Sequence, residues 1–455
     1  MVTTFSALAH QLKWLEMEAP RYTSYPSALY FKPKAPETHR KELAAFNLDQ
    51  SVALYIHIPF CKQLCWFCGC HTKIANQYSP IASYVQSLMK EIDLIGQSVA
   101  GKIILHSIHF GGGSPGMLSA EDLDAIFQRI HATFIVEKNA EIAIELDPRQ
   151  LTKDKIHVYK HHGFNRVSLG VQDTNQTVQD SIHRTQPLEQ VRECVDLLRT
   201  EGIHAINMDL IYGLPFQTIQ SIEQTINEVC SMAPSRVAFY SFAHVPWMKK
   251  HQQMIQKHDL PTIADKGHMY LHALKIFQEH GYQPLGIDHF AKKEDDCYAG
   301  LGERTLRRNF MGYTTQPNDY VLGIGASAIS HLGEGISQNS VNEMDYKQHI
   351  EQGVFSTARG CLFTAEDLLR KAIINELMCY FSVDVAKHLT QHQFPMHYLD
   401  EQLALLNPYS EEGVISLSNR RIQFNSPLRM IVRSICSVFD QYHLTLDKGR
   451  YLKIS

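Results

Sequence analysis

A chain of 455 residues, 44% hydrophobic and 20% charged, is too long for one ordinary core. It reads as two or three domains, or as one large barrel with extensions. The formal net charge of −4 excludes a global pull toward nucleic acid or an anionic membrane. No apolar run approaches the ~18 residues that cross a bilayer. The opening M-V-T-T-F-S-A-L-A-H-Q-L-K lacks the pattern of a signal peptide, so a cytoplasmic chain with reduced thiols is expected.

Residues 1–36 read as an attached arm. Phe5 to Met17 has the character of a short helix, and Pro20-Arg21-Tyr22-Thr23-Ser24-Tyr25-Pro26 must run extended between its two prolines. That segment is either a surface linker or a cover over a pocket. From residue 51, β-branched and aromatic runs alternate with helical periodicity. The expected strands are Ser51–Phe60, Ile103–Gly113, Glu141–Pro148, Arg166–Asp173, Ala205–Pro215, Arg236–Pro246 and Tyr282–Ala291. The expected helices are Ile81–Ile95, Ala120–Phe134, Leu188–Leu198, Ile219–Met232 and Thr262–Glu279. Strands alternating with helices predict an α/β fold on a parallel sheet, a partial or full (β/α) barrel, with a doubly wound open sheet as the rival. Gly111-Gly112-Gly113-Ser114, Glu145, Gln172, Asp209 and His244 fall at strand C-termini, where such folds place chemistry.

The first strand runs into Cys61, Cys65, Cys68 and Cys70, four of the ten cysteines within ten residues. C-x3-C-x2-C-x-C suits structural zinc poorly, because no second knuckle follows. Cys65 and Cys68 match a redox C-x-x-C pair but leave Cys61 unexplained. Three thiolates at x3 and x2 spacing fit three corners of a [4Fe–4S] cube, with one iron left open. Iron–sulfur is the best of the three readings, and zinc and redox thiols remain alternatives.

The segment 295–350 is less regular. Arg304, Arg307 and Arg308, beside N-F-M-G-Y-T-T, are candidate partners for an anionic ligand or a solvated basic face. From about 352 the pattern turns mostly helical, notably Ala365–Phe381 and Leu428–His443, with a strand pair near Val414–Phe424. The expected division is 1–36 arm, 37–351 barrel and 352–455 mostly helical domain.

C-x3-C-x2-C after a first strand, with Gly-Gly-Gly after the second, resembles the radical S-adenosylmethionine (SAM) superfamily. P-R-Y-T-S-Y-P at 20–26, Y-I-H-I-P-F-C-x3-C-x-F-C-G-C at 55–70 and H-F-G-G-G-S-P at 109–115 narrow the likeness. So do E-L-D-P-R at 145–149, G-V-Q-D at 170–173, N-M-D-L-I-Y-G-L-P at 207–215, D-H-F-A at 288–291 and R-N-F-M-G-Y-T-T at 308–315. Over essentially the whole chain this resembles the oxygen-independent coproporphyrinogen III oxidase (dehydrogenase) family of haem biosynthesis.

That resemblance implies one [4Fe–4S] cluster on Cys61, Cys65 and Cys68, with SAM on the fourth iron. Tyr55, Phe67, Gly112, Glu145 and Ile329 match positions that hold this SAM. Gly113, Ser114, Gln172, Arg184, Asp209 and Ala243 match positions that hold a second. Cys70 belongs to the branch's motif without being a ligand, and it counts with Tyr55, Arg21 and Tyr22 among the implied catalytic positions. The arm at Arg21, Tyr22 and Tyr25 would close over a tetrapyrrole. The implied reaction turns two propionates of coproporphyrinogen III into vinyl groups, giving protoporphyrinogen IX. A single working chain, an electron donor such as flavodoxin or ferredoxin, and no nucleic-acid or membrane partner are expected.

The chain departs from the family pattern at three places. G-G-G-T-P-T becomes G-G-G-S-P-G, G-C-N becomes Gly69-Cys70-His71, and N-F-Q-G-Y becomes N-F-M-G-Y with Met311. These leave a tetrapyrrole methyltransferase or a non-catalytic haem carrier of the same ancestry as alternatives.

Overall fold

In the computed structural model, which describes residues 5–317, 319–443 and 453–454, six strands form the spine. They are β1 (Ser51–Ile58), β2 (Ile104–Gly112), β3 (Ile135–Leu146), β4 (Arg166–Gln172), β5 (Ala205–Tyr212) and β6 (Arg236–Ser241). Each pairs in parallel with the next. The linking helices are α1 (Ser79–Ser98), α2 (Ala120–Thr133), α3 (Lys153–His161), α4 (Leu188–Thr200), α5 (Ile219–Ser231) and α6 (Ile263–Glu279). Side-chain caps set several starts: Ser119 on α2, and reciprocal capping boxes at Thr218–Ser221 on α5 and Thr262–Asp265 on α6.

Strand order separates the two architectures. A doubly wound sheet reverses its order at a switch point, whereas here β1 to β6 follow one another without reversal. Right-handed crossovers then put every helix on one face. Beyond β1 the sheet adds Val321–Ile324 in parallel, then Ile329–His331, Gly335–Asn339, Thr357–Leu362 and Lys32–Pro33 antiparallel. Beyond β6 it adds His289–Ala291 and Gln283–Leu285. The two ends do not pair, so the barrel is partial.

Two-residue alternation divides the strands between faces. On β3, β4 and β5 the residues Ile142, Ile144, Val167, Leu169, Ile206 and Met208 are buried in the main core. The intervening Glu141, Glu145, Arg166, Ser168, Asn207 and Asp209 line an internal cavity of about 130 Å³. The strands therefore carry a dry face toward the helices and a polar face toward the barrel interior.

Departures from the sequence reading have local causes. Helix α3 gave no periodic signal because it buries only Ile156 and Tyr159. The single strand expected at Tyr282–Ala291 is an antiparallel hairpin turning at Gly286, φ +56°, where a Cβ would stand 1.9 Å from the Tyr313 ring. Leu428–His443 holds only a helix at Val432–Val438 after a short 3₁₀ turn. Asp440 ends it by accepting bonds from the amides of Tyr442 and His443. Ser382–Asp384 adds a third strand to the expected pair Ile415–Ser418 and Arg421–Phe424. No described helix is long and apolar enough to cross a membrane.

The N-terminal segment is tied down rather than loose. Phe5–Glu16 is a 3₁₀ helix. Trp14 stacks on Tyr409 at 3.9 Å, and its indole N–H donates to Glu412. Tyr22 and Tyr25 are buried, and the Tyr22 hydroxyl donates to Asp440 at 3.2 Å.

Candidate active site

Strand β1 delivers the cysteine loop, and neighbouring segments fasten it on two sides. The Trp66 amide donates to Ile182 O at 3.0 Å, and the Trp66 ring stacks on His183. Opposite, the carbonyls of Phe67, Cys68 and Cys70 accept from Gln252, His251 and Lys249 at 2.9, 2.7 and 2.8 Å. Trp66 and Phe67 pack on a small apolar group that includes Val178, Ile211 and Phe242. The loop is thus held through its backbone, leaving the thiols to other partners.

Those thiols sit in unequal surroundings. Cys65 is buried, Cys61 and Cys68 are half-buried, and Cys70 is exposed. Arg184 Nη1 and Arg149 Nη2 point at Cys65 Sγ from 3.4 and 3.8 Å. Both guanidiniums are anchored on Asp147, which grips Arg149 through three contacts of 2.7 to 3.2 Å. Burial pushes the Cys61 thiol up to about 12, helped by its sulfur neighbours. A hydrogen bond with Cys70 pulls Cys68 below the usual thiol range and drives Cys70 above it. Among the described residues no three Cys, His, Asp or Glu side chains converge on one metal ion. A cube that takes each thiolate on a separate iron needs no such convergence. N–H donors on the Cys65 sulfur, and a half-buried Cys61 thiol that bound metal would keep ionised, fit that group.

The glycine run closes the other side. Gly113 N donates to Ile58 O, and Ser114 N to Phe60 O, both at 2.8 Å, so the end of β2 continues beside the cysteine loop. A Cβ on Gly113 would stand 2.7 Å from Phe60 O, and one on Gly111 would meet Glu145 and Tyr55 at 2.9 Å. Gly112 has φ +116°, with the His57 ring 2.5 Å from the Cβ position. The His57 ring is fixed by Tyr55 Oη at 3.0 Å and His71 O at 3.1 Å and cannot swing away freely. Gly112→Ala is therefore expected to cost about 2–3 kcal/mol of stability, read as a lowered denaturation midpoint.

Glu145 joins these pieces. Its Oε2 accepts Gly112 N–H at 3.1 Å, and its Oε1 meets His109 Nε2 at 3.2 Å. Tyr55 stacks on His109, with ring centroids 5.9 Å apart. Burial works against the charged carboxylate, but the His109 and Gly112 hydrogen bonds prevail and hold its pKa below the usual range.

Asp209 accepts from Ser168 Oγ at 3.0 Å and Asn207 Nδ2 at 2.8 Å, yet burial and the Glu145 charge raise it to about 6. Between about pH 4 and 6 the folded chain keeps a proton there that the unfolded chain has released. This group's contribution to stability thus falls as pH rises through that window and is unfavourable at neutrality. Asp209→Asn is expected to flatten that part of the stability–pH curve and to gain roughly 1–3 kcal/mol near neutral pH, measured by denaturant unfolding.

Gln172 sits at φ +69°, and both its amide and Arg184 approach Gly170, whose carbonyl accepts from Arg184 Nη2 at 2.6 Å. Ser114 Oγ and Arg184 Nε are buried without a partner among the described residues. Arg21, Tyr55 and Glu145 line one cavity of about 220 Å³. Arg21, Tyr22, Phe67, Cys68, Cys70 and Ala243 line another of about 530 Å³. Ile329 lies on the antiparallel extension of the sheet beside Gly323, the residue paired with Tyr55, and lines neither cavity.

Arg304, Arg307 and Arg308 are already engaged. Arg304 pairs with Glu376, Arg307 with Asp319 at 3.6 Å, and Arg308 with Asp288 at 3.2 Å. Arg308 nevertheless lines the 220 Å³ cavity, and Arg21, Lys266 and Arg433, far apart in sequence and without a motif to mark them, also face cavities. Reading the sequence also passed over His57, His109, Asp147 and Arg149, although all four lie inside or beside the quoted motifs.

The family model of the radical SAM superfamily matches residues 55–229. An oxygen-independent coproporphyrinogen III oxidase from Bradyrhizobium diazoefficiens is 40% identical over 96% of this chain and 97% of its own. The one from Escherichia coli is 35% identical over 93% of each chain. The solved structure of the Escherichia coli coproporphyrinogen III oxidase, described as a radical SAM enzyme, matches with a TM-score of 0.89. It is 34% identical and covers 93% of this chain and 97% of that one. With identity and fold shared from end to end, the chain belongs to the oxygen-independent coproporphyrinogen III oxidases of the radical SAM superfamily.

Proposed function

We propose that this chain oxidatively decarboxylates two propionate side chains of coproporphyrinogen III to vinyl groups, as an oxidoreductase using a [4Fe–4S] cluster and SAM. The observation that carries the assignment is the cysteine loop, anchored through its backbone and adjoining Gly111–Gly113 and Glu145, on a chain full-length related to named oxidases. Family membership favours this reading over a methyltransferase or a haem carrier.

Cys61, Cys65 and Cys68 would hold the cluster. Tyr55, Phe67, Gly112, Glu145 and Ile329 would hold the SAM bound to it. When bound, this pair supplies a carbon radical able to take hydrogen from an unactivated carbon. Glu145, kept ionised, would offer a hydrogen-bond acceptor to the SAM amino group, while Tyr55 and His109 brace it. Arg149 and Arg184 place N–H donors on Cys65 Sγ and so favour added negative charge there.

A second SAM at Gly113, Ser114, Gln172, Arg184, Asp209 and Ala243 is supported by Ser114 Oγ and Arg184 Nε. These two buried polar groups have no partner among the described residues, and a polar ligand would satisfy them. Arg21 and Tyr22 form a wall of the 530 Å³ cavity beside Cys68 and Cys70 and shield it from water. Met311 lines the cavity shared by Arg21, Tyr55 and Glu145, so the replaced amide faces the same space. An electron donor such as a flavodoxin or ferredoxin would act on a single chain in the cytoplasm.

Anaerobic turnover by the reconstituted protein tests the assignment. Two molecules of carbon dioxide and a divinyl product are expected per coproporphyrinogen III. A methylated product, or porphyrin binding without SAM cleavage, would overturn it.

A further inference from the structure

Beside Arg21 a third cavity, of about 870 Å³, opens away from the cysteine loop. Five basic side chains line it, Arg21, Lys257, Lys266, Arg433 and Lys453, against one carboxylate, Glu18. Lys266 donates only to Phe242 O, at 3.2 Å, and Arg21 only to Ser241 O, at 3.2 Å. Arg433 is buried and spends its guanidinium on the carbonyls of Ala19, Pro20 and Ile454. No carboxylate pairs with these three cations among the described residues.

The arrangement is built rather than incidental. The Lys266 stem crosses Gly213, φ +82°, where a Cβ would stand 2.5 Å from Lys266 Cε. Only glycine there lets the ammonium reach the cavity. The remaining wall is apolar or aromatic, including Phe242, Pro246, Trp247 and Ile263. Burial and the nearby Arg21 charge lower Lys266 to about 8 and Arg433 to about 9, and no carboxylate among the described residues makes an ion pair with either cation. Like charges held together beside an apolar wall are a receptor waiting for an anion on a hydrophobic frame.

We infer that Arg21, Lys266 and Arg433 form a carboxylate receptor that grips the tetrapyrrole propionates remote from the reacting carbon. The inference rests on the proposed activity and assigns its substrate subsite. Neither Tyr55, Glu145 nor any cysteine lines this cavity. Arg21 borders it and also borders both cavities beside the cysteine loop. One end of the substrate would therefore be anchored here while another reaches the chemistry past Arg21.

The test uses Lys266, because Arg433 also holds the arm. Binding of coproporphyrin III and mesoporphyrin IX is followed by porphyrin fluorescence in wild type, Lys266→Met and Lys266→Arg. Mesoporphyrin IX keeps only the two propionates that the reaction spares. Lys266→Met is expected to weaken both porphyrins about tenfold. Lys266→Arg should recover most of that loss. Lys266→Met should also raise the KM for coproporphyrinogen III more than it lowers kcat, and melt no lower than wild type, since it removes a half-buried charge that pairs with no carboxylate among the described residues. Weakening of coproporphyrin alone would place Lys266 at a reacting propionate and overturn the assignment. Unchanged affinity for both, with wild-type turnover intact, would remove the receptor while leaving the activity. Absent turnover in the cluster-loaded wild type would instead remove the activity.

Discussion

Replacing Cys61, Cys65 or Cys68 singly by alanine is expected to abolish cluster-dependent SAM cleavage, to below ~1% of wild type, and to lower bound iron. Three thiolates leave no spare, and the loop offers no substitute. Cys70, the nearest sulfur, hydrogen-bonds Cys68 and lines the 530 Å³ cavity. Cys70→Ala is the contrast. It should keep the iron of the wild type and lose turnover, because its place is on the cavity wall rather than on the cube. Iron content by chelation assay and paramagnetic resonance of the reduced protein separate the two cases. Full iron and full cleavage in any of the first three variants would refute the ligand assignment.

The parts of this site that could be read from sequence are those whose chemistry depends on local spacing. C-x3-C-x2-C concentrates three thiols on one loop, and Gly111–Gly113 ends a strand, so both announce themselves. The sequential strand order was partly legible too, since six apolar runs alternate with helical periods, although periodicity alone could not choose between a partial barrel and a doubly wound sheet. That choice came from pairing, which depends on which strands neighbour each other in space. Arg304, Arg307 and Arg308 illustrate the opposite limit. A cluster of arginines signals charge, but whether the charge is free depends on Glu376, Asp319 and Asp288, which only folding brings near. Lys266 and Arg433 carried no signal for the same reason. Neither pairs with a carboxylate among the described residues, and a missing partner has no sequence pattern.

Glu145→Gln is expected to lower SAM-dependent turnover about 10²-fold, chiefly through weaker SAM binding. The carboxylate accepts Gly112 N–H and the His109 ring N–H, and both bonds hold it ionised against burial. An amide has one acceptor where the carboxylate has two. One of these two donors must therefore face an NH₂ group, and losing a charge-assisted hydrogen bond costs about 1.5–3 kcal/mol. Those bonds are already made in the free protein, so this loss is read as a lowered denaturation midpoint. The fall in turnover would come from the weaker acceptor left for the SAM amino group, where losing a charge-assisted hydrogen bond of up to about 3 kcal/mol is roughly 10²-fold at 1.36 kcal/mol per factor of ten. Because the Glu145 charge also helps raise Asp209, the same substitution should lower the Asp209 pKa, a change readable in the stability–pH curve without any cofactor present. A variant with wild-type SAM affinity but the shifted Asp209 titration would show that Glu145 shapes the barrel's field without touching SAM. Loss of affinity together with that shift is the result expected from one carboxylate serving both.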